Sequence, residues 1–436
     1  MRKYARDAWD VYGDRRMLAL LALGFSSGLP RLLVFGTLTF WLLDVGLSIA
    51  TVGLFASTST PYTLKFLWAP VIDRARLPWL GAMFGQRRSW MLLTQALVVV
   101  AILWLASIDP AVDPWWTALA AVAVAAASAS QDVVVDAFRV ETLDEDEQGA
   151  GAAVAVFGYR LGMLASGAGA LLMATAWGQW SAVYAAMAAL MFVGVVATAL
   201  SVEPARPQRE VDEAATGFGR ALAEARDAVI GPVRDLTKRP GWLLFLAFIV
   251  LYKLGDALAG AMLNPMLYDL GFTKLEIAGV AKTYGLVASI AGVFLGGWLV
   301  KNVGVMRALW IAGFMQMFSN LVFVFQARAG HDLVWLVATV GVENVCGGVG
   351  TAAFVAYLSG LCNRAYTATQ YALLTAASGF ARTLLSTGTG VAAASLGWVW
   401  YFSATAVCAI PGLVVLVVLV RRGWTGLGAG GEAPVE

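Results

Sequence analysis

The sequence predicts an all-α, polytopic membrane protein whose twelve spanning helices form two six-helix bundles. Three observations carry this expectation. Hydrophobic residues make up 60% of the 436 positions and charged residues only 13%, giving a mean hydropathy of +0.74. No soluble domain of this size reads that way. Twelve apolar runs reach the ~20 residues of helix that a bilayer requires. Lysine and arginine fall on alternate sides once those runs are threaded back and forth.

In chain order the runs lie near 17–43, 48–72, 89–107, 114–138, 149–176, 179–202, 241–268, 275–300, 305–327, 333–361, 367–396 and 398–420. The first is too long for the core of a signal peptide and lacks a small-residue cleavage site behind it, so it is expected to stay as the first span. Arg2, Lys3, Arg6, Arg15 and Arg16 precede it. Arg74, Arg76, Arg87 and Arg88 follow the second run, and seven further cations lie between 206 and 239. Lys301, Arg307, Arg364, Arg421 and Arg422 complete this side, against only Lys274 and Arg328 on the other. The positive-inside rule then places both termini in the cytoplasm.

The longest polar stretch, 203–240, divides the spans six and six. The expected domains are a bundle over 1–202, a cytoplasmic linker over 203–240, a second bundle over 241–422 and a disordered tail over 423–436. Cys346, Cys362 and Cys408 are odd in number and read as small hydrophobes. His331, the single histidine, falls in an outer loop, so a multi-His metal centre is excluded. Neither a metal nor a cofactor is expected, and nothing in the charge pattern calls for nucleic acid.

The halves repeat weakly. Asp44-Val-Gly-Leu-Ser after the first run matches Asp269-Leu-Gly-Phe-Thr after the seventh, and Gly158-Tyr-Arg160 matches Gly379-Phe-Ala-Arg382. Pro70-x-x-Asp73-Arg74 with Gly85-x-Arg87-Arg88, and Gly297-x-x-x-Lys301-x-x-Gly304-x-x-Arg307, resemble the loop signature of major facilitator transporters. The first copy carries an insertion with Pro78, and Lys301 replaces the usual acid. Two such halves would place substrate and coupling ions near the bilayer midplane.

Charged groups inside spans are the candidates for function, because even lenient scales put their cost at roughly 2.5–3.5 kcal/mol each. The cations are Arg31, Lys65, Arg160, Lys253, Lys282 and Arg382; the acids are Asp132, Asp136, Asp256 and Glu343. Their surplus of positive charge suits an anionic ligand, and arginine offers a bidentate grip on carboxylates. Asp132, Asp136 and Arg139 share one helix face, and Lys253 and Asp256 can neutralise each other at i, i+3. The plain alternative for each is a structural ion pair or a snorkelling side chain. With no buried histidine, proton coupling would need a carboxylate: Asp132 first, Glu343 second. Arg160, Arg382, Lys253, Gln131, Tyr159 and Asn344 are the expected ligand-binding residues. Asp73, Arg74, Arg87, Arg88, Asp136, Arg139 and Asp256 are expected as gating or structural charges.

Seven strings in register across both halves resemble the AmpG-type muropeptide permeases. They include Gly24-Phe-Ser-Ser-Gly-Leu-Pro30, Lys65-Phe-Leu-Trp-Ala-Pro70-Val-Ile-Asp73, Ser128-Ala-Ser-Gln-Asp132-Val-Val-Val-Asp136 and Glu343-Asn-Val-Cys-Gly-Gly-Val-Gly-Thr351. The resemblance implies a bacterial inner-membrane importer of N-acetylglucosaminyl-1,6-anhydro-N-acetylmuramyl peptides, energised by the proton gradient. It further implies a role in cell-wall recycling and a link to β-lactamase induction. Some relatives carry a further pair of C-terminal spans, which the core is not expected to need. The expected partners are an anionic sugar-peptide, protons and the lipid bilayer, with the chain as a monomer.

Two other classes remain open at this point. A siderophore or drug permease can use the same scaffold. An intramembrane enzyme is disfavoured: a serine protease wants a buried histidine, and an aspartyl dyad wants carboxylates from separate helices, whereas Asp132 and Asp136 share one.

Overall fold

The computed structural model describes residues 14–47, 51, 55, 58, 60–205, 230–273, 276–385, 389–425 and 427. Of residues 145, 278, 282 and 380–385 it describes the backbone alone. Arg2, Lys3 and Arg6, most of the linker and most of the tail therefore lie outside the described residues, as do the side chains of Lys282 and Arg382.

Ten helices among the described residues are long and apolar enough to cross a membrane: Arg15–Asp44, Gln86–Ala106, Pro114–Thr142, Gln148–Trp177, Trp180–Leu200, Trp242–Asp269, Gly279–Val303, Val305–Ala329, Leu333–Leu361 and Trp398–Arg421. Their ends fall within four residues of the predicted runs. The other two runs appear in pieces. The 48–72 run contains Thr60–Leu64, a tight 3₁₀ turn at Lys65–Leu67, and Ala69–Arg74. Pro70 lacks the N–H that would bond back one turn, and its ring crowds the carbonyl there, so the helix tightens just before it. The 367–396 run is split between Thr367–Leu385 and Thr389–Leu396.

Small residues set the closest helix packing. Gly24 and Gly28 in the first helix lie against the Ala155 and Tyr159 backbone, while Gly158 and Gly162 lie against Leu21 and Phe25. At each of these four positions a Cβ would collide with a facing backbone atom. Gly28→Ala is therefore expected to cost at least the top of the roughly 1–3 kcal/mol range for overpacking. Its melting temperature in detergent should drop by several degrees, and an unchanged melt would show that the two helices can part.

The same two helices each carry one turn of π-helix, Leu33–Thr37 and Ala165–Gly169. Such a turn loosens the backbone ladder, and side chains take up the freed carbonyls. Tyr184 donates its hydroxyl to the Leu33 carbonyl at 3.0 Å, and Thr37 donates to the Ser166 carbonyl at 2.5 Å.

The sequence repeat has a structural counterpart. The Trp180 indole donates to Asp44 at 2.9 Å, and the Trp398 indole donates to Asp269 at 2.6 Å. The Tyr401 hydroxyl donates to the Leu258 carbonyl at 2.7 Å, as Tyr184 does to Leu33. In both halves that carbonyl lies eleven residues before the aspartate.

The chain divides into two compact units. The first comprises Met1–Leu143, Val154–Pro232 and Asn363–Ala372; the second comprises Asp144–Ala153, Val233–Cys362 and Leu373–Glu436. The first has a core of Leu33, Leu38, Val98, Ile102, Tyr184 and Met187. The second is built around Met266, Leu267, Phe323 and Phe402. Each unit includes a short segment from the other half of the sequence.

Candidate functional site

The Pro114–Thr142 helix organises the first unit's polar site. Asp113 precedes it and Pro114 opens it, at the position where a missing N–H costs nothing. Fourteen residues on, its apolar face gives way to serine, glutamine and aspartate. Ser128 accepts the Tyr62 hydroxyl at 2.8 Å, and Ser130 accepts the Trp68 indole at 2.9 Å. The broken helix around Lys65 is thereby fastened to the run that carries Asp132.

Asp132 is 9% exposed. Its charged neighbours are Lys65, Asp136 and Arg31, and among the described residues no cation lies within ion-pair distance of it. The sequence leaves open whether Arg139 or Arg160 holds Asp132 ionised, and neither pairs with it in the structure. Arg139 is buried, 4.0 Å from Asp136, with its guanidinium 5.4 Å from the centre of the Tyr371 ring. Arg160 is half-buried, and its Nη1 is buried without a hydrogen-bond partner.

Gln131 is fully buried and donates its amide to Ser26 at 2.9 Å. In this conformation it ties the fourth predicted span to the first and exposes no atom to a ligand. Tyr159 accepts a hydrogen bond from Arg31 at 3.2 Å. Arg31 also lies beside Phe35 and Tyr62, 5.8 and 5.2 Å from their ring centres.

The second unit holds its own polar cluster. Lys253 and Asp256 form the expected ion pair at 3.2 Å. Glu343 is half-buried and senses both of them. Asn344 donates to Glu343 at 2.7 Å and to the Val340 carbonyl at 2.9 Å, so it positions the carboxylate from the adjacent residue. Of Arg382 only the backbone is described, within the Thr367–Leu385 helix.

The arginine-rich loop of the first unit is a dense ionic lock. Arg87 is 0% exposed. It donates to Asp73 at 2.7 Å and, in bidentate fashion, to Glu141 at 3.0 and 2.7 Å. Asp73 also accepts the Ala368 and Thr369 amides at 3.1 and 2.7 Å and the Thr369 hydroxyl at 2.6 Å. It thus caps the start of the Thr367–Leu385 helix, where unpaired N–H groups favour an anion. Glu203 does the same for Gln86–Ala106 by accepting the Arg87 and Arg88 amides. Arg88 donates to the Thr198 and Ala199 carbonyls at the end of Trp180–Leu200. Arg74 keeps a buried Nε in the same loop.

Arg31, Tyr62, Glu141 and Glu203 were absent from the expected site residues. Glu141 carried a usable signal, since it lies at the end of a spanning run three residues before another acid. Arg31 was counted among the membrane cations, but nothing in its local sequence shows that Tyr62 and Tyr159 would surround it.

Outside the spans, Glu276 accepts the Thr273 amide and hydroxyl at 2.7 and 2.8 Å and lies 3.2 Å from His331. The bond from the Thr273 amide, helped by that from the hydroxyl, holds the Glu276 carboxyl below its ordinary value. A depressed native pKa adds stability above the unfolded value of about 4.3, and that stability disappears as pH falls through the native value. Glu276→Gln is expected to speed exchange of the Thr273 amide near pH 6. At pH 3 the variant and the parent should converge; a difference persisting there would contradict this assignment.

Residues 17–254 match the Major Facilitator Superfamily. The chain is 40% identical over 409 residues to the anhydromuropeptide permease of Escherichia coli K12, covering 94% of this chain and 80% of that protein. It is 32% identical over 413 residues to a putative transporter, AmpG 4, of Rickettsia felis, covering 94% and 98%. Among solved structures it is similar to the proton:xylose symporter XylE, with TM-score 0.66 and 14% identity over 96% of this chain and 98% of the other. It is also similar to the E. coli fucose:proton symporter FucP, with TM-score 0.67 and 12% identity over 93% and 98%. At these identities the solved structures bear on the fold alone.

Proposed function

The chain belongs to the Major Facilitator Superfamily and, within it, to the AmpG-type permeases, so it is a multi-pass membrane transporter and not an enzyme; from that membership we propose that it imports anhydromuropeptides with protons. The substrate is an N-acetylglucosaminyl-1,6-anhydro-N-acetylmuramyl peptide, taken inward across the bacterial inner membrane for cell-wall recycling. Through that flux the chain feeds the signal for β-lactamase induction. It works as a monomer with both termini in the cytoplasm, and the proton gradient replaces any cofactor.

The observation that carries this reading is Asp132. It is a buried carboxylate in the middle of a spanning helix, with Lys65 and Arg31 near it and neither bonded to it. An acid with no cation paired to it can exchange a proton as the surroundings change, whereas an acid locked by arginine, such as Glu141, cannot. The unpartnered buried nitrogen of Arg160 supports the reading that this residue takes a substrate carboxylate. Arg382 is its proposed counterpart in the second half of the sequence. Lys253, Tyr159 and Asn344 are the further residues proposed to contact substrate. Glu343, paired through Asn344, adjusts to Lys253 during the cycle. Gln131 binds ligand only in a conformation that releases Ser26.

The test is uptake of labelled anhydromuropeptide by purified protein in liposomes under an imposed pH gradient. Accumulation that an uncoupler abolishes supports the reading. Movement of a ferric siderophore in place of the muropeptide would replace it.

A further inference from the structure

Arg31 sits seventeen residues into the 30-residue Arg15–Asp44 helix, close to its middle. Its neighbours come from three other segments: Tyr62 of Thr60–Leu64, Asp132 of Pro114–Thr142 and Tyr159 of Gln148–Trp177. The side chain therefore points into the first unit and not toward lipid, yet it is exposed within that unit. A guanidinium carries five N–H donors. Among the described residues Arg31 makes one hydrogen bond, to the neutral Tyr159 hydroxyl at 3.2 Å, and no carboxylate lies within ion-pair distance of it. The energetic cost of keeping such a group in a span is not met by any fixed anion.

Its surroundings say what it waits for. The Phe35 and Tyr62 rings flank it, 5.6 Å apart and tilted by 44°. Tyr62 is fixed by its bond to Ser128, whereas Phe35 remains 37% exposed. An arginine resting against a pair of touching aromatic rings favours a planar carboxylate on its free N–H edge and an apolar ring face on the exposed ring. The C–H face of a pyranose against Phe35, with an acid on the guanidinium, satisfies both features.

We propose that Arg31, Phe35 and Tyr62 form the subsite that reads a free peptide carboxylate of the sugar-peptide while a sugar ring rests on Phe35, with Tyr159 as the positioning residue that presents the guanidinium. On substrate entry the carboxylate takes over the Arg31 donors from the Tyr159 hydroxyl. Asp132 lies beyond pairing distance but acts on Arg31 through its charge, so a proton on Asp132 removes the competing anion. The assignment rests on the muropeptide reading above and adds which side chain discriminates the acid.

The test compares two ligands on the full chain in nanodiscs: an anhydromuropeptide with free peptide carboxylates, and the same molecule with those carboxylates converted to amides. The parent chain is expected to prefer the acid by roughly 10- to 100-fold, the range for a charge-assisted bidentate bond. Arg31→Gln should lower that preference by roughly tenfold, leaving only what the other cations contribute. Arg31→Lys, which keeps the charge but loses the fork, should recover part of the preference, and this also shows that the site still folds. Phe35→Ala should weaken both ligands by the same factor and leave their ratio unchanged. If Arg31→Gln keeps the parental ratio, or the parent prefers neither ligand, the subsite assignment is wrong while the muropeptide reading stands. If the parent binds neither ligand, the muropeptide reading falls and takes the subsite with it.

Discussion

Asp132→Asn is expected to abolish accumulation of substrate against its gradient while leaving exchange of substrate across the membrane largely intact. The substitution keeps the shape of the side chain and removes its ability to hold or release a proton. Among the described residues no cation lies within ion-pair distance of Asp132, so the variant breaks no salt bridge there and the helix should fold as before. One pH unit is worth about 1.4 kcal/mol, enough for one proton per substrate to hold a tenfold gradient. Under such a gradient the parent chain should approach tenfold accumulation, and Asp132→Asn should stop near equal concentrations. Labelled substrate should still equilibrate with unlabelled substrate across the same vesicles. Glu343→Gln is the control, because that carboxylate is held by Asn344 and lies beside the Lys253–Asp256 pair. If Asp132→Asn accumulates as the parent does while Glu343→Gln fails, proton carriage belongs to the second unit.

The contrast between these acids shows what could be read from the chain. Ten spans were legible because length and hydropathy alone define them, and neither depends on distant residues. The 48–72 run was harder, because its hydropathy hides the local backbone: Pro70 ends the α-helical ladder, and the resulting 3₁₀ turn at Lys65–Leu67 brings Lys65 toward Asp132 and Asp136. Asp132 itself was visible because an acid in an apolar helix is costly wherever it points. Its partners were not, since helix periodicity assigns a residue to a face without saying which helix covers that face. Arg139, seven residues along the same face, looked like the natural counter-charge. It turns instead to Asp136 and the Tyr371 ring, while tertiary packing brings Lys65 and Arg31 near Asp132 without pairing either of them with it. Gln131 shows the same limit, because one helix position decides between an exposed amide and one tied to Ser26. The Asp44 and Asp269 repeat, by contrast, was legible in both sequence and structure. A repeated helix-end contact needs only the same local spacing in each half, and the ion clusters do not repeat in this way.

Arg87→Met is expected to be strongly destabilising. Arg87 is fully buried, and Asp73 and Glu141, both also buried, draw on its guanidinium. Removing one member of a buried ionic cluster leaves uncompensated charge and costs about 3–5 kcal/mol. Whole-protein stabilities are only about 5–15 kcal/mol, so Arg87→Met should fail to fold or should lose its melting transition in detergent. The two acids should not suffer equally. Asp73 retains the Ala368 and Thr369 amides and the Thr369 hydroxyl at the start of a helix, where a carboxylate is favoured without any arginine. Glu141 accepts two short charged bonds from Arg87, and no helix start is among the partners shown for it. The double variant Arg87→Met with Glu141→Met should therefore recover much of the lost stability, while Arg87→Met with Asp73→Asn should recover little and should also free the start of the Thr367–Leu385 helix. Thermal unfolding of the single and double variants, read as a double-mutant cycle, measures both differences. Equal recovery from both doubles would show that the helix amides do not support Asp73, and an unperturbed melt of Arg87→Met alone would remove the lock from the energetics of the fold.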